Sequence, residues 1–330
     1  MKAVWYERQG AAADVLVYGE MPTPEAGPGE VRVRLEASGV NPADVGRRGG
    51  GYGRPMEFPR VIPNSDGAGI IDQVGDGVTR LKAGQRVWLF NGQRNGRAFG
   101  TAADYIALAE QLVTPLPDHL SFAEGATLGI PGMTAWCAAF ADGPVANKTV
   151  LVTGGAGAVG HYAVQLAKWG GARVIATVSS DAKAEQAQAA GADLVINYKT
   201  QDVAAKALAF TAGCGVDRVV EVDFGGNLAT TLKLMAMNST IAVYATNGNR
   251  TPVVPVRELM EKCIATRALV LYALPWPLLA AAQAGTSKWL AAGPRLHNIA
   301  AQYPLSETVA AHVAVEKGDK LGTVIVDCAR

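Results

Sequence analysis

Thr149-Val150-Leu151-Val152-Thr153-Gly154-Gly155-Ala156-Gly157-Ala158-Val159-Gly160 is the stretch whose reading decides the fold. Its first five residues form an apolar, β-branched run of strand length, and a helical pattern through Trp169 follows the glycines. Between the two, Gly155-x-Gly157-x-x-Gly160 has the spacing of the dinucleotide fingerprint. Backbone without Cβ atoms turns tightly and approaches a pyrophosphate, and the next helix offers free N–H groups at its N-terminus. Gly155, Gly157, Ala158, Val159 and Gly160 are therefore the expected phosphate-binding segment. A tight turn without a ligand would use the same glycines, so the flanks must decide. Residues 172–178 read as a second strand, 181–190 as a helix, and 193–196, 217–222 and 240–244 as further strands with helices between. Continuous apolar strands alternating with helices make a parallel sheet covered on both faces. Right-handed crossovers make it doubly wound.

Working outward toward the N-terminus, Ser121-Phe122-Ala123-Glu124 has the pattern of a capping box, and helical stretches run from there to about Ala141. Upstream the pattern changes to short alternating runs such as Glu30-Val31-Arg32-Val33-Arg34-Leu35 and Gln85-Arg86-Val87-Trp88-Leu89-Phe90. Alternation broken by Gly and Pro predicts antiparallel strands, so the first 120 residues read as mostly β.

The chain has 330 residues, about twice a usual domain length, which favours two domains or one large unit. With 49% hydrophobic and 18% charged residues it has material for a sizeable core, which excludes a disordered chain. Lys and Arg number 30 against 29 Asp and Glu, so a net charge of +1 gives no support to nucleic acid or an anionic membrane as partner. Residues 268–284 form the longest apolar tract, but Pro275 and Pro277 interrupt it and it falls short of the roughly 20 residues of a bilayer span. No apolar core of a secretory signal is present near Met1, and four scattered cysteines form no C-x-x-C pair. A soluble protein of the reducing cytoplasm is expected.

The end of the second strand bears on the cofactor. A free ribose 2′-hydroxyl normally meets an Asp or Glu there, whereas this strand ends Val178-Ser179-Ser180-Asp181-Ala182-Lys183. Ser179, Ser180 and Lys183 offer donors and positive charge suited to a 2′-phosphate, which favours NADP(H). Two alternatives stay open. A serine here also caps the next helix with Lys183 solvated, and Asp181 is an acid displaced by only a residue or two.

Several motifs occur together in one order: Gly39-Val40-Asn41-Pro42-Ala43-Asp44, Asp66-Gly67-Ala68-Gly69, Val74-Gly75-Asp76-Gly77-Val78, Lys82-Ala83-Gly84-Gln85-Arg86-Val87, Pro131-Gly132-Met133-Thr134-Ala135, the glycine turn and Asn197-Tyr198. In these the chain resembles the zinc-free quinone oxidoreductase (zeta-crystallin-like) branch of the medium-chain dehydrogenase/reductase superfamily. The resemblance implies an α/β protein with a GroES-like, mostly β catalytic domain over residues 1–122 and 268–330, and a Rossmann dinucleotide-binding domain over 123–267. It also implies that Gly322-Thr323-Val324-Ile325-Val326 returns to the first domain.

Zinc-dependent relatives carry Cys where Asn41 stands and His-Glu where Ser65-Asp66 stand, so no metal is expected. What remains is hydride delivery from NADPH to a quinone, a good acceptor without a Lewis acid. The alternatives are reduction of an enone, or a crystallin-like nucleotide-binding protein with little turnover. By resemblance, Asn41 and Tyr52 position the substrate and nicotinamide as amide and phenol donors, and Tyr198 lies beside the 2′-phosphate. Tyr244, Ala245, Thr246, Asn247 and Leu271 line the cofactor path, and a homodimer or homotetramer is the family expectation. One departure is Gly46, where the family often has Tyr, which implies a wider or differently specific pocket.

Overall fold

In the computed structural model, the structure describes residues 1–51 and 53–329, and the chain divides into two compact units. Unit 1 comprises Met1–Ile130 with His297–Arg330, and unit 2 comprises Pro131–Leu296. Among the described residues no helix is long and apolar enough to cross a membrane.

Unit 1 begins with β1 (Lys2–Trp5), α1 (Ala12–Val15), β2 (Val17–Glu20) and β3 (Glu30–Val40). Then come α2 (Pro42–Gly49), β4 (Asp66–Val74), β5 (Arg86–Leu89), β6 (Tyr105–Ala109), β7 (Val113–Pro115) and α3 (Phe122–Gly125). Along β3 the expected alternation holds, with Val31, Val33 and Leu35 turned into the core and Arg32 and Arg34 outward. Asn41 stands in extended backbone and Pro42 opens α2, the position where a missing N–H costs nothing. The capping box of α3 is present, Glu124 N donating to Ser121 Oγ at 3.2 Å and Ser121 N to Glu124 Oε2 at 2.7 Å.

Unit 2 runs α4 (Met133–Phe140), β8 (Thr149–Val152), α5 (Ala158–Trp169), β9 (Arg173–Val178), α6 (Asp181–Ala189), β10 (Leu194–Asn197) and α7 (Val203–Phe210). It continues with β11 (Val216–Glu221), α8 (Phe224–Leu234), β12 (Met235–Val243), α9 (Val256–Glu261), β13 (Ala265–Ala268) and α10 (Trp276–Ala291). Its six strands are parallel in the order β10-β9-β8-β11-β12-β13. The order reverses direction between β8 and β11, so the carboxyl ends of those two strands flank the switch point of a doubly wound sheet.

The chain then returns to unit 1 as β14 (Ile299–Pro304), α11 (Thr308–Lys317) and β15 (Thr323–Asp327). β15 pairs antiparallel with β3, Val324 opposite Val40, as the resemblance implied for residues 322–326. The unit 1 sheet orders β14-β15-β3-β4-β5-β7, with β6 also on β3.

The unit boundaries differ from the expected 122/123 and 267/268. Residues 123–130 stay with unit 1, where Ile130 N donates to Asp66 Oδ1 at 2.9 Å and a Cβ on Gly39 would strike the Ala126 carbonyl at 2.3 Å. Residues 268–296 stay with unit 2. There Gly285 of α10 leaves room for the Trp136 indole of α4, and Trp289 meets Tyr162 edge-on with ring centroids 5.8 Å apart. The apolar tract at 268–284 is only partly core: Leu269, Leu271, Leu279 and Ala282 are buried, while Val270 and Trp276 are 47% and 39% exposed.

Candidate functional site

In unit 2 the glycine turn leaves β8 with each glycine answering a different demand. Gly154 alone has left-handed backbone, φ +66, one residue before the fingerprint begins. A Cβ on Gly155 would lie 2.7 Å from Ala176 Cβ, and one on Gly160 only 2.2 Å from the Gly154 carbonyl oxygen, so these two permit close packing of turn, helix and strand. Gly157 is different. It is exposed, precedes α5 with φ −74, and a Cβ there would meet only the Gly154 oxygen at 3.3 Å. The protein asks little for glycine at that point compared with Gly155 and Gly160, and a bare backbone there suits a pyrophosphate over the first turn of α5. The turn thus fits a dinucleotide, with the backbone N–H groups of Ala158, Val159 and Gly160 as the free donors of the helix start.

At the end of β9, Lys183 Nζ donates to Ser179 Oγ at 3.0 Å, while Ser180 Oγ accepts Lys183 N at 3.4 Å and caps α6. Ser180 therefore performs the capping duty that was the open alternative for a serine here, and Ser179 with Lys183 forms the cation–hydroxyl corner. Asp181 is the exposed first residue of α6. Tyr198 follows β10, its backbone N–H bonded to Val178 O at 3.0 Å at the end of β9, and its side chain is 53% exposed.

A cavity of about 560 Å³ opens at the carboxyl ends of these strands, lined among others by Thr153, Gly154, Thr177, Tyr198, Val222 and Asp223. Beneath it Glu221 is fully buried, and burial pushes its carboxyl above the usual range despite donors at 2.6–2.9 Å from Asp223 N, Asn227 Nδ2 and Thr153 Oγ1. Tyr244 is held by its N–H to the Glu221 carbonyl at 3.0 Å, and desolvation first, then Glu221, pushes its phenol up. Ala245 accepts from Phe224 N at 3.2 Å, Thr246 Oγ1 accepts from Gly225 N at 3.0 Å, and Asn247 N donates to Asp223 Oδ1 at 2.9 Å. Leu271 is buried just after β13, whose last residue pairs with Val243. The residues expected along the cofactor path thus gather at the strand ends. Glu221 and Asp223 escaped the sequence reading; an acid closing a buried apolar strand was the available signal.

In unit 1, Asn41 is 3% exposed and sits between two carboxyls. Its Nδ2 donates to Asp66 Oδ2 at 2.8 Å and to Asp44 Oδ2 at 3.2 Å, while its backbone N–H donates to Asp44 Oδ2 at 3.0 Å. The expectation that this amide donates to a substrate is thereby corrected: both its hydrogens are spent inside the unit. Asp44 also accepts from Ser65 Oγ at 2.8 Å and from Arg94 Nη2 at 2.7 Å, a buried ion pair. Among the described residues no cation is paired with Asp66, though the Arg94 charge acts on it from beside Asp44. Burial, then the nearby Asp44 charge, raise its carboxyl to about 8 against the donors Asn41 and Ile130. Tyr52 lies outside the described residues. Among the described residues no group of three or more His, Cys, Asp or Glu is placed to hold a metal.

Residues 27–118 match the family described as alcohol dehydrogenase GroES-like domain, and residues 158–282 match zinc-binding dehydrogenase. The chain is 35% identical over 221 residues to quinone oxidoreductase of Rattus norvegicus, a match covering 67% of this chain but only 65% of the rat protein. Against quinone oxidoreductase of Homo sapiens it is 30% identical over 295 residues, 88% of this chain and 86% of the human one. The Escherichia coli quinone oxidoreductase solved with NADPH superposes with a TM-score of 0.85 at 25% identity, over 99% of this chain and 100% of the other.

Proposed function

Because this chain belongs to the quinone oxidoreductase branch of the medium-chain dehydrogenase/reductase superfamily, we propose that it delivers a hydride from NADPH to a quinone, without a metal. The observation that carries the reading is the nucleotide corner. An exposed Gly157, where a Cβ would meet only the Gly154 oxygen at 3.3 Å, opens α5, and the end of β9 offers Ser179 and Lys183 in place of an acid. The related Escherichia coli enzyme, solved with NADPH, supports the same cofactor.

Bound NADPH supplies the hydride, from nicotinamide C4. The chain's own residues bind and orient. The first-turn N–H groups of α5 take the pyrophosphate, and Lys183 Nζ with Ser179 Oγ and the Tyr198 phenol take the 2′-phosphate. On unit 1, Asn41 is held rigid by Asp66 and Asp44 and orients the acceptor by shape alone, since both its amide hydrogens are already donated. Tyr52 supplies the phenol donor for the acceptor oxygen as negative charge develops there. Metal independence draws on the amide and hydroxyl of Asn41 and Ser65, which are poor zinc ligands. We assign the protein to the cytoplasm as a homodimer or homotetramer, on the family resemblance and the scattered placement of its four cysteines in the sequence.

The test is NADPH oxidation with a panel of quinones and enones, before and after chelation. Turnover with quinones that survives chelation supports the proposal. Turnover only with enones moves the substrate class, and NADPH binding without turnover removes the enzyme reading.

A further inference from the structure

Two carboxyls are stacked at the switch point of the unit 2 sheet, and the hydride chemistry proposed above uses neither. Glu221 Oε1 accepts from Thr153 Oγ1, the residue immediately before the glycine turn, and from the backbone N–H of Asp223 at 2.6 Å. Asp223 in turn reaches the loop after β12: its Oδ1 accepts both Asn247 N and Gly248 N at 2.9 Å. The loop is stitched to the start of α8 a second time, Thr246 Oγ1 accepting from Gly225 N and donating to Asn249 O at 2.7 Å.

Glycines close the arrangement sterically. A Cβ on Gly226 or Gly248 would lie 2.3 or 2.5 Å from Asp223 Oδ2, and one on Gly225 would strike the Asn249 carbonyl at 1.9 Å. None of these three has left-handed backbone, so close approach, and not turn geometry, is what requires glycine at each. Two of these glycines make room for the Asp223 carboxylate and the third for the carbonyl of the loop it holds. Asp223 also lines the cavity at the strand ends together with Thr153 and Gly154. The loop it grips carries Thr246 and Asn247.

We propose that Asp223, seated on Glu221, is a positioning residue for the nucleotide: it holds the Thr246–Asn247 segment in its binding shape before the cofactor arrives. The inference rests on the reading of unit 2 as the NADPH-binding unit. A loop fixed in advance spares the cofactor the entropy of ordering it, so the clasp acts on affinity and not on the chemical step.

The test compares Asp223→Ala with Asp223→Asn in the full-length protein. Asparagine keeps an oxygen acceptor for the two loop N–H groups, so it is the conservative rescue. The readouts are hydrogen exchange at the amides of Asn247 and Gly248, and NADPH Kd by calorimetry alongside the KM of a quinone. Asp223→Ala should speed exchange at both amides and raise the NADPH Kd about tenfold, the ordering cost of roughly one backbone residue. The quinone KM should stay unchanged, and Asp223→Asn should restore exchange and affinity together. Faster exchange with unaltered NADPH affinity would overturn the inference, because the loop would then be held without serving the nucleotide. Equal losses for NADPH and quinone would also overturn it, since a general loss of structure would explain them. Wild-type protein that fails to bind NADPH at all would instead overturn the nucleotide reading itself, and this assignment with it.

Discussion

Gly157→Val and Gly160→Ala, made as a pair, separate a glycine kept for a ligand from one kept for the fold. At Gly160 the new Cβ would lie 2.2 Å from the Gly154 carbonyl oxygen, 2.9 Å from its carbon and 3.1 Å from Gly155 Cα. All three are backbone atoms, so α5 or the turn must move. Overpacking of this kind costs about 1–3 kcal/mol, a fall in Tm of roughly 2–12 °C for a domain of this size. At Gly157 the backbone is in a region open to any residue and the single neighbour stands at 3.3 Å. Valine there loses only a favourable cap residue, about 1 kcal/mol or less. Its branched side chain occupies the approach to the α5 N-terminus, however, and displaces charge-assisted bonds worth about 1.5–3 kcal/mol. NADPH affinity should fall roughly ten- to a hundredfold. Thermal melts give the first quantity and calorimetric NADPH titration the second. A folded Gly157→Val protein with wild-type affinity would refute the assigned turn, and Gly160→Ala as stable as wild type would refute the packing argument.

Lys183→Ala should weaken NADPH about tenfold, the low end for a charge-assisted bond because the corner is open to solvent and screened; NADH titration should barely change, and equal loss of both would mean the lysine only supports α6. Stability should also depend on pH through Asp66, whose carboxyl titrates near 3.8 when unfolded and about 8 in the fold. Between those values the folded chain keeps a proton that the unfolded chain releases, so this contribution is whole below the lower value and lost as pH rises through the upper. Its slope is at most about 1.4 kcal/mol per pH unit, and Asp66→Asn should flatten the dependence of Tm on pH across that window; an unaltered profile would place the titration elsewhere. Elemental analysis of the purified protein should return far less than one zinc per chain, with activity unchanged by EDTA, and near-stoichiometric zinc lost together with activity would contradict the reading of Asn41 and Ser65.

Much of the fold was legible because it is written in short-range pattern. The alternation of Val31, Val33 and Leu35, the apolar strand at 149–152 and the Ser121–Glu124 box each express an interaction within a few residues. The unit boundary was not legible, since residues 268–296 carry no linker composition. What assigns them is Trp136 entering the space over Gly285, a contact between helices far apart in the chain. The same limit applies at the site. Asn41 reads as a donor until Asp66, 25 residues on, is found to take its amide hydrogen. Likewise the contact of Asp223 with the loop is seen only when Asn247, 24 residues later, folds onto it. Motifs report which residues approach a ligand, and they are silent on which groups are already spoken for.

The most direct test of the account is a kinetic isotope measurement on chelator-treated protein, using NADPH deuterated at the transferred C4 position with a quinone as acceptor. Turnover with NADPH should run well above that with NADH, with a primary isotope effect on kcat/KM for the quinone. NADPH that binds tightly at the glycine turn yet is not consumed, with any quinone and with or without metal, would contradict it.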